Sequence, residues 1–120
     1  GCTTDLSSAV VAAYDAPFPD DTFTAGARAL PALVPTSLDD PASADNIAAW
    51  EVLTAFDRPF LTAFSDGDPI TGGGEAPFQA KVAGAQGQPH TTVEGGGHFL
   101  QEDRGPRLAQ VINDFIAATP

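Results

Sequence analysis

Residues 60–70 read FLTAFSDGDPI, and this stretch decides the fold class. Its first half, 60–64, is short and mostly apolar, and the turn that follows is typical of the end of a buried parallel strand. A second short run, HTTVE at 90–94, is rich in β-branched residues and is broken by three glycines at 95–97. We therefore predict two short strands, each of which leads into a loop.

Helical patterns surround these strands. The predicted helices cover residues 5–15, 21–30, 44–56, 75–83 and 103–118. Ser43 is placed to cap the third of them, and proline-rich turns interrupt the chain over 16–41. The order strand, helix, strand, helix predicts one right-handed βαβ unit with a further helix over the sheet, so the predicted fold class is α/β.

Two parallel strands are too few for a stable sheet. Such strands are buried on both faces and need neighbouring strands to complete their backbone hydrogen bonds. The chain also begins with Gly1 rather than Met. We therefore interpret it as the C-terminal portion of a larger α/β protein, whose N-terminal half is absent, supplied by another chain or replaced by self-association.

Composition argues against several kinds of partner. The 120 residues carry 5 Lys and Arg against 16 Asp and Glu, a formal net charge of -11 at pH 7, which repels nucleic-acid phosphates and anionic lipid surfaces. No apolar run approaches the roughly 20 residues that span a bilayer, and no targeting signal is visible, which favours a cytoplasmic protein without membrane contact. One Cys and two His offer no convincing metal ligand set.

The loops after the two predicted strands carry residues suited to proton transfer. Asp68 lies in the first loop and His98 in the second. Loops at the carboxyl ends of neighbouring parallel strands converge, so we expect these two side chains to meet. A carboxylate beside an imidazole fixes its tautomer and stabilises the imidazolium that forms when the ring acts as a base for a nearby nucleophile.

The same residues also have an ordinary structural interpretation. An Asp-Gly-Asp-Pro string is common in acidic turns, and a histidine after three glycines can simply close a loop. Composition alone favours this interpretation over the catalytic one. We further expect Asp66 only to shape its turn, and His90, inside the predicted strand, to be structural or on the surface.

Four strings are distributed along the chain: YDAPFP at 14–19, GAR at 26–28, FSDGDPI at 64–70 and GHFLQE at 97–102. Taken in order, they resemble the haloalkane dehalogenases of the α/β-hydrolase fold, and the resemblance covers almost the whole chain. Gly-His-Phe followed by Gln-Glu is fairly specific for this family among α/β hydrolases. The resemblance implies that residues 1–36 are part of the helical cap and that residues 37–120 are the C-terminal part of the core, with its last two parallel strands.

The resemblance also implies roles for individual residues. Asp68 matches the family's charge-relay acid, and His98 matches its catalytic base. The residues that it places around the substrate and halide cavity are Leu30, Pro31, Val34, Ile70 and Phe99. Leu30 departs from the phenylalanine that similar proteins often carry at this point, which removes an aromatic edge from the cavity and argues against halide contact there.

The mechanism that the resemblance implies needs no cofactor. An Asp nucleophile displaces halide from carbon, and water activated by the histidine then hydrolyses the alkyl-enzyme ester, so the partners are a small halogenated hydrocarbon and halide. The nucleophile elbow of such enzymes, Gly-x-Asp/Ser-x-Gly, does not occur in these 120 residues. We therefore predict a dehalogenase as the parent enzyme and no activity for the isolated chain.

Two other functions fit the same residues. An epoxide hydrolase or a serine esterase shares the acid and histidine loops and differs at the nucleophile and the oxyanion donors. A non-catalytic fragment that pairs its strand edge with a second copy or another partner is the other alternative. An upstream Asp elbow followed by Trp favours dehalogenation, a Ser elbow favours acyl transfer, and a well-folded monomer weakens the fragment hypothesis.

Overall fold

The computed structural model describes residues 1–119, in which two short strands pair side by side. Strand β1, Ala63–Ser65, lies parallel to strand β2, Thr91–Val93, with Ala63 opposite Thr91 and Ser65 opposite Val93. Helix α4, Glu75–Lys81, lies between them in sequence, as a parallel pair requires. The predicted α/β class with a two-stranded parallel sheet is confirmed.

Helices occupy all five regions in which helical patterns occur. They are α1 (Ser8–Asp15), α2 (Ala25–Ala29), α3 (Ser43–Thr54), α4 (Glu75–Lys81), α5 (Leu100–Asp103) and α6 (Gly105–Ala118), with 3₁₀ turns at Asp21–Thr24, Leu30–Leu33 and Ala83–Ala85. The long C-terminal helix predicted over 103–118 begins instead at Gly105, because Arg104 leaves helical geometry with φ -140° and ψ 32°.

The capping prediction for α3 is wrong. Ser43 is the first residue of the helix, and its hydroxyl donates to the carbonyl of Ser37 at 2.6 Å rather than accepting from a helix amide. Asp40 instead accepts from the amide of Ala42 at 2.9 Å, just before the helix begins. The sequence places both polar residues near the helix start, and which of them bonds there depends on the preceding turn.

Both strands are shorter than predicted, and the first is displaced toward the C-terminus. Thr62 donates its backbone N–H to the Nδ1 atom of His90 at 3.1 Å, and Phe60 donates to the carbonyl of Gly84 at 3.0 Å. In this part of the apolar run the amides therefore bond to a side chain and a 3₁₀ turn, while the carbonyl of Thr62 still accepts from the amide of Thr91 at 3.1 Å. Hydrogen bonds of this kind join residues far apart in sequence, so a local pattern does not reveal them.

The chain divides into two compact units. One consists of residues 1–5 with 53–119 and holds the sheet and helices α4 to α6, and the other is Leu6–Val52. The boundary at residue 37 that the resemblance implies between cap and core does not coincide with this division, and it stays a prediction about the parent protein.

The buried apolar residues of the described chain all lie in the first unit. They are Val82, Ala85, Val93, Leu100 and Val111. In Leu6–Val52, by contrast, the structure buries only Ser43, and large apolar side chains such as Phe23, Leu33 and Leu38 are exposed, Leu38 at 87%. The sheet unit therefore has a hydrophobic core of its own, and the helical unit has none among the residues that the structure describes.

Candidate active site

The carboxyl ends of β1 and β2 bring Asp68 and His98 together. Asp68 lies three residues after β1 ends at Ser65, and His98 follows the glycine run after β2. The imidazole Nδ1 of His98 lies 3.1 Å from Oδ1 and 3.1 Å from Oδ2 of Asp68. Because a carboxylate only accepts, Nδ1 carries the proton and donates it to both oxygens. The contact is the one that the spacing of the two loops predicts.

Asp68 is held as a carboxylate by its own turn. Its side chain is 6% exposed, and it accepts hydrogen bonds from the amides of Ile70 at 2.8 Å and Thr71 at 3.1 Å and from the Thr71 hydroxyl. The Thr71 hydroxyl lowers the pKa of Asp68 most, with help from the Ile70 amide and His98, and together these bonds outweigh the opposing effect of burial. The group is therefore ionised at neutral pH.

His98 presents its other ring nitrogen without a hydrogen bond. The side chain is 30% exposed, and its ring lies edge-on to that of Phe99 with centroids 5.2 Å apart. Since Nδ1 bears the proton, Nε2 bears the lone pair, and it makes no hydrogen bond to any residue between 1 and 119. The arrangement gives a fixed tautomer, a neighbouring negative charge and an unoccupied basic nitrogen, which are the requirements for a general base.

The glycine run before His98 has a structural reason. Gly95 has a φ of +75°, which residues with a side chain rarely adopt, and Arg104 packs where its Cβ would be. A Cβ on Gly97 would collide with the backbone carbonyl of Gly1. The loop that carries His98 is therefore closely packed against two other segments of the same unit.

Asp66 does more than shape its turn, so the prediction for it is wrong. Its Oδ1 accepts from the amide of Gly95 at 2.7 Å, across the two loops. Gly67 donates to the carbonyl of Gly96 at 3.1 Å, and the Ser65 hydroxyl donates to the carbonyl of Gly97 at 2.8 Å. These three bonds tie the acid loop to the histidine loop and fix the approach of Asp68 to His98.

His90 has the structural role that we expect for it. Its Nε2 donates to the carbonyl of Ala85 at 2.8 Å, and its Nδ1 accepts from the amide of Thr62 at 3.1 Å. The Thr62 hydroxyl also lies 3.0 Å from Nδ1 and accepts from the side chain of Gln79. Both ring nitrogens are engaged, so His90 joins the start of β2 to the segment before β1 and has no nitrogen left for chemistry.

Sequence reasoning missed Asp103, a buried carboxylate beside the histidine loop. The residue is 8% exposed and accepts from the backbone amides of Thr3, Thr4 and Gly97 and from the Thr4 hydroxyl. Its position five residues after His98 is the only local signal, and the partners at Thr3 and Thr4 lie about 100 residues away. No motif of the chain indicates such a long-range contact.

The cavity residues that the resemblance implies fall in both units. Ile70 and Phe99 lie next to the acid and histidine loops and are exposed, at 68% and 47%. Leu30, Pro31 and Val34 lie in Leu6–Val52 and are also exposed. Exposure leaves all five accessible to a ligand, but their role in lining a cavity stays a prediction.

Among residues 1–119, the structure shows neither a cluster of metal ligands nor a helix suited to span a membrane. Among residues 1–119, no three His, Cys, Asp or Glu side chains are close enough together to hold a metal ion. None of the helices in that range has the length and apolar character of a membrane span.

Comparison with known proteins identifies relatives over the whole chain. It is 51% identical over 120 residues to a protein of Psychrobacter cryohalolentis named haloalkane dehalogenase, covering 100% of the chain and 40% of that protein. A protein of Mycolicibacterium paratuberculosis named haloalkane dehalogenase is 52% identical over 93% of the chain and 37% of that protein. A protein of Mycobacterium bovis named haloalkane dehalogenase 1 is 50% identical over 95% of the chain and 38% of that protein. No protein-family model matches. The family resemblance predicted from the four strings is confirmed, and the chain spans about 40% of the length of these relatives.

Proposed function

From its relationship to the haloalkane dehalogenases, we propose that this chain is the acid and base part of a hydrolase that cleaves carbon–halogen bonds. Residues 37–120 would then be the C-terminal part of an α/β-hydrolase core whose last two strands are β1 and β2, and residues 1–36 would be part of its cap. The identity of 50% to 52% over 93% to 100% of the chain supports this proposal. So does the position of Asp68 and His98 at the carboxyl ends of parallel strands.

The proposed reaction has two steps. A carboxylate nucleophile from outside these 120 residues attacks the carbon of a haloalkane, halide leaves with the bonding electrons, and an alkyl ester of the enzyme forms. Nε2 of His98 then takes a proton from water while the water oxygen adds to the ester carbonyl. Collapse of that adduct breaks the acyl–oxygen bond, and the departing alkoxide takes the proton from Nε2 of His98 and leaves as the alcohol. The carboxylic acid that remains gives its proton to solvent, which regenerates the carboxylate. His98 serves only the second step.

Asp68 has two tasks in this scheme. Its hydrogen bond to Nδ1 keeps the lone pair of His98 on Nε2, where water would be deprotonated. Its negative charge stabilises the imidazolium that forms in the second step, and the low pKa that Thr71 gives it keeps the proton on the imidazole. The single observation that carries the acid and base roles is this 3.1 Å contact, with Nε2 making no hydrogen bond to residues 1–119.

A hybrid enzyme tests the proposal. Residues 1–120 replace the matching segment of the Psychrobacter cryohalolentis relative, which supplies the remainder of the protein. We expect the hybrid to release halide from 1-bromohexane, and we expect the isolated 120-residue chain to release none. Steady halide release by the isolated chain above the level of its His98→Ala variant would contradict the second expectation.

The same hybrid separates the alternatives. Turnover of an epoxide or a p-nitrophenyl ester without halide release from 1-bromohexane would overturn the dehalogenase assignment in favour of another α/β hydrolase. A folded hybrid that turns over none of the three substrates would show that these residues do not supply a working acid and base. Loss of steady-state halide release in Asp68→Asn, with full steady-state release in the exposed control Asp114→Asn, is the expected result.

A further inference from the structure

The structure contains a second buried carboxylate that the proposed reaction does not use. Oδ2 of Asp103 accepts from the amide of Gly97 at 2.8 Å and from the amide of Thr3 at 2.9 Å. Oδ1 accepts from the amide of Thr4 at 2.9 Å and from its hydroxyl at 2.5 Å. One side chain thus joins the N-terminal segment 1–4 and the glycine run to helix α5.

These bonds act on the residue directly before His98. The amide of Gly97 is held by Asp103, and its carbonyl is held by the hydroxyl of Ser65. Gly97 has no side chain of its own to restrict its dihedral angles, so external bonds must fix the peptide planes on either side of it. On the other side of His98, the amide of Phe99 donates to the carbonyl of Gly1 at 3.3 Å.

The hydrogen-bond partners of Asp103 require a carboxylate at this position rather than an amide. All the partners of Asp103 are N–H or O–H donors, and both of its oxygens are engaged by them. The Thr4 hydroxyl lowers the pKa of Asp103 most, followed by the amides, so the group is ionised despite its burial. An Asn in this place would direct its NH₂ group at a donor, whichever way it turned.

We propose that Asp103 is a positioning residue. It holds the Gly95–Gly97 run so that the ring of His98 stays hydrogen-bonded to Asp68. The inference rests on the proposed function insofar as His98 is the base, but the placement of the ring is a property of the chain that can be measured without any reaction. The N-terminal segment 1–4 is the other half of the clamp, since Thr3 and Thr4 supply most of its donors.

The two histidines of the chain provide the experiment. His98 is protonated on Nδ1 and His90 on Nε2, so long-range ¹H–¹⁵N spectra of the imidazoles distinguish them by tautomer. In Asp103→Asn we expect the His98 ring to lose its single Nδ1–H tautomer and its signal to broaden. His90 should keep its Nε2–H tautomer and so report that the strands are still paired. Asp114→Asn, an exposed position on α6, removes the same charge and should change neither ring.

Each result decides the question. An unchanged His98 ring in a folded Asp103→Asn variant would overturn the proposal. If both rings change because the variant unfolds, Thr4→Val decides, since it removes one donor and leaves the backbone donors in place. A smaller change confined to His98 then supports the proposal, and no change or an equal change at His90 overturns it. Failure of the proposed function would appear instead as turnover in the hybrid that does not need His98, whatever these spectra show.

Discussion

The two ends of strand β2 hold the two histidines of the chain in different ways. At the start of the strand, His90 uses both ring nitrogens to join Ala85 and Thr62. Past the other end, His98 uses Nδ1 on Asp68 and leaves Nε2 without a hydrogen bond in the described chain. The same side chain thus serves as a structural tie in one place and is prepared for proton transfer in the other. The state of the second nitrogen distinguishes them.

The two rings also differ in the charge of the groups that contact them. His90 faces neutral partners, a carbonyl, an amide and a hydroxyl, which satisfy an uncharged imidazole. His98 faces a carboxylate that its own turn keeps ionised, and it donates a hydrogen bond to that carboxylate from Nδ1. The first ring has both nitrogens engaged, whereas the second has a charged partner on one nitrogen and no hydrogen bond to residues 1–119 on the other, which is why we assign chemistry only to the carboxyl end of the sheet.

The largest expected effect of a single substitution is on turnover. In the hybrid enzyme, Asp68→Asn should lower kcat for halide release by a factor on the order of 10³ to 10⁴, because an amide neither fixes the tautomer nor stabilises the imidazolium. Steady-state halide assays on folded protein measure it. A decrease in kcat of less than about tenfold would mean that His98 does not depend on this carboxylate for catalysis. The difference between His98 and His90 would then not indicate a catalytic role.

A substitution at the other end of β2 should act on stability instead. His90→Leu removes two hydrogen bonds worth about 1 kcal/mol each, so we expect the free energy of unfolding to fall by about 2 kcal/mol. Urea unfolding of the chain measures this change, and the exposed substitution Asp114→Asn serves as the control. An unfolding free energy that stays the same would contradict the structural role of His90.

The smallest expected effect is on acid stability. Because the pKa of folded Asp68 is lowered, its contribution to stability is complete above the unfolded value of about 3.9 and is lost as the pH falls below it. Thr71→Val removes the main cause of the shift and should move acid unfolding, followed by circular dichroism, to higher pH. Thr24→Val is the matched control, since that hydroxyl bonds a backbone carbonyl. Equal midpoints for both variants would contradict the account of Asp68.

The sequence predicts the sheet and the meeting of Asp68 with His98 for a simple reason. Both depend on local patterns, an apolar run closed by a turn, together with the general rule that loops at the carboxyl ends of parallel strands converge. Family strings add the chemical interpretation, since acid and histidine loops alone are shared by several kinds of hydrolase. These parts of the fold and of the site are therefore accessible without coordinates.

The remaining features depend on contacts between distant residues. The tie between Thr62 and His90 displaces β1, the bond from Gly95 to Asp66 joins two loops, and Asp103 reaches the first residues of the chain. An aspartate that shapes a turn and an aspartate that joins two distant segments are the same residue type in the sequence. Only the folded structure shows which polar atoms are buried away from water and need a hydrogen-bond partner in the protein.

The most direct test of the central claim is to follow the covalent intermediate in the hybrid enzyme carrying His98→Gln. If His98 serves only ester hydrolysis, this variant should release one equivalent of halide from 1-bromohexane and then stop. Mass spectrometry should find a hexyl group retained on the protein. Continued halide release at the rate of the unsubstituted hybrid, with no alkylated protein, would show that the imidazole of His98 is not the base.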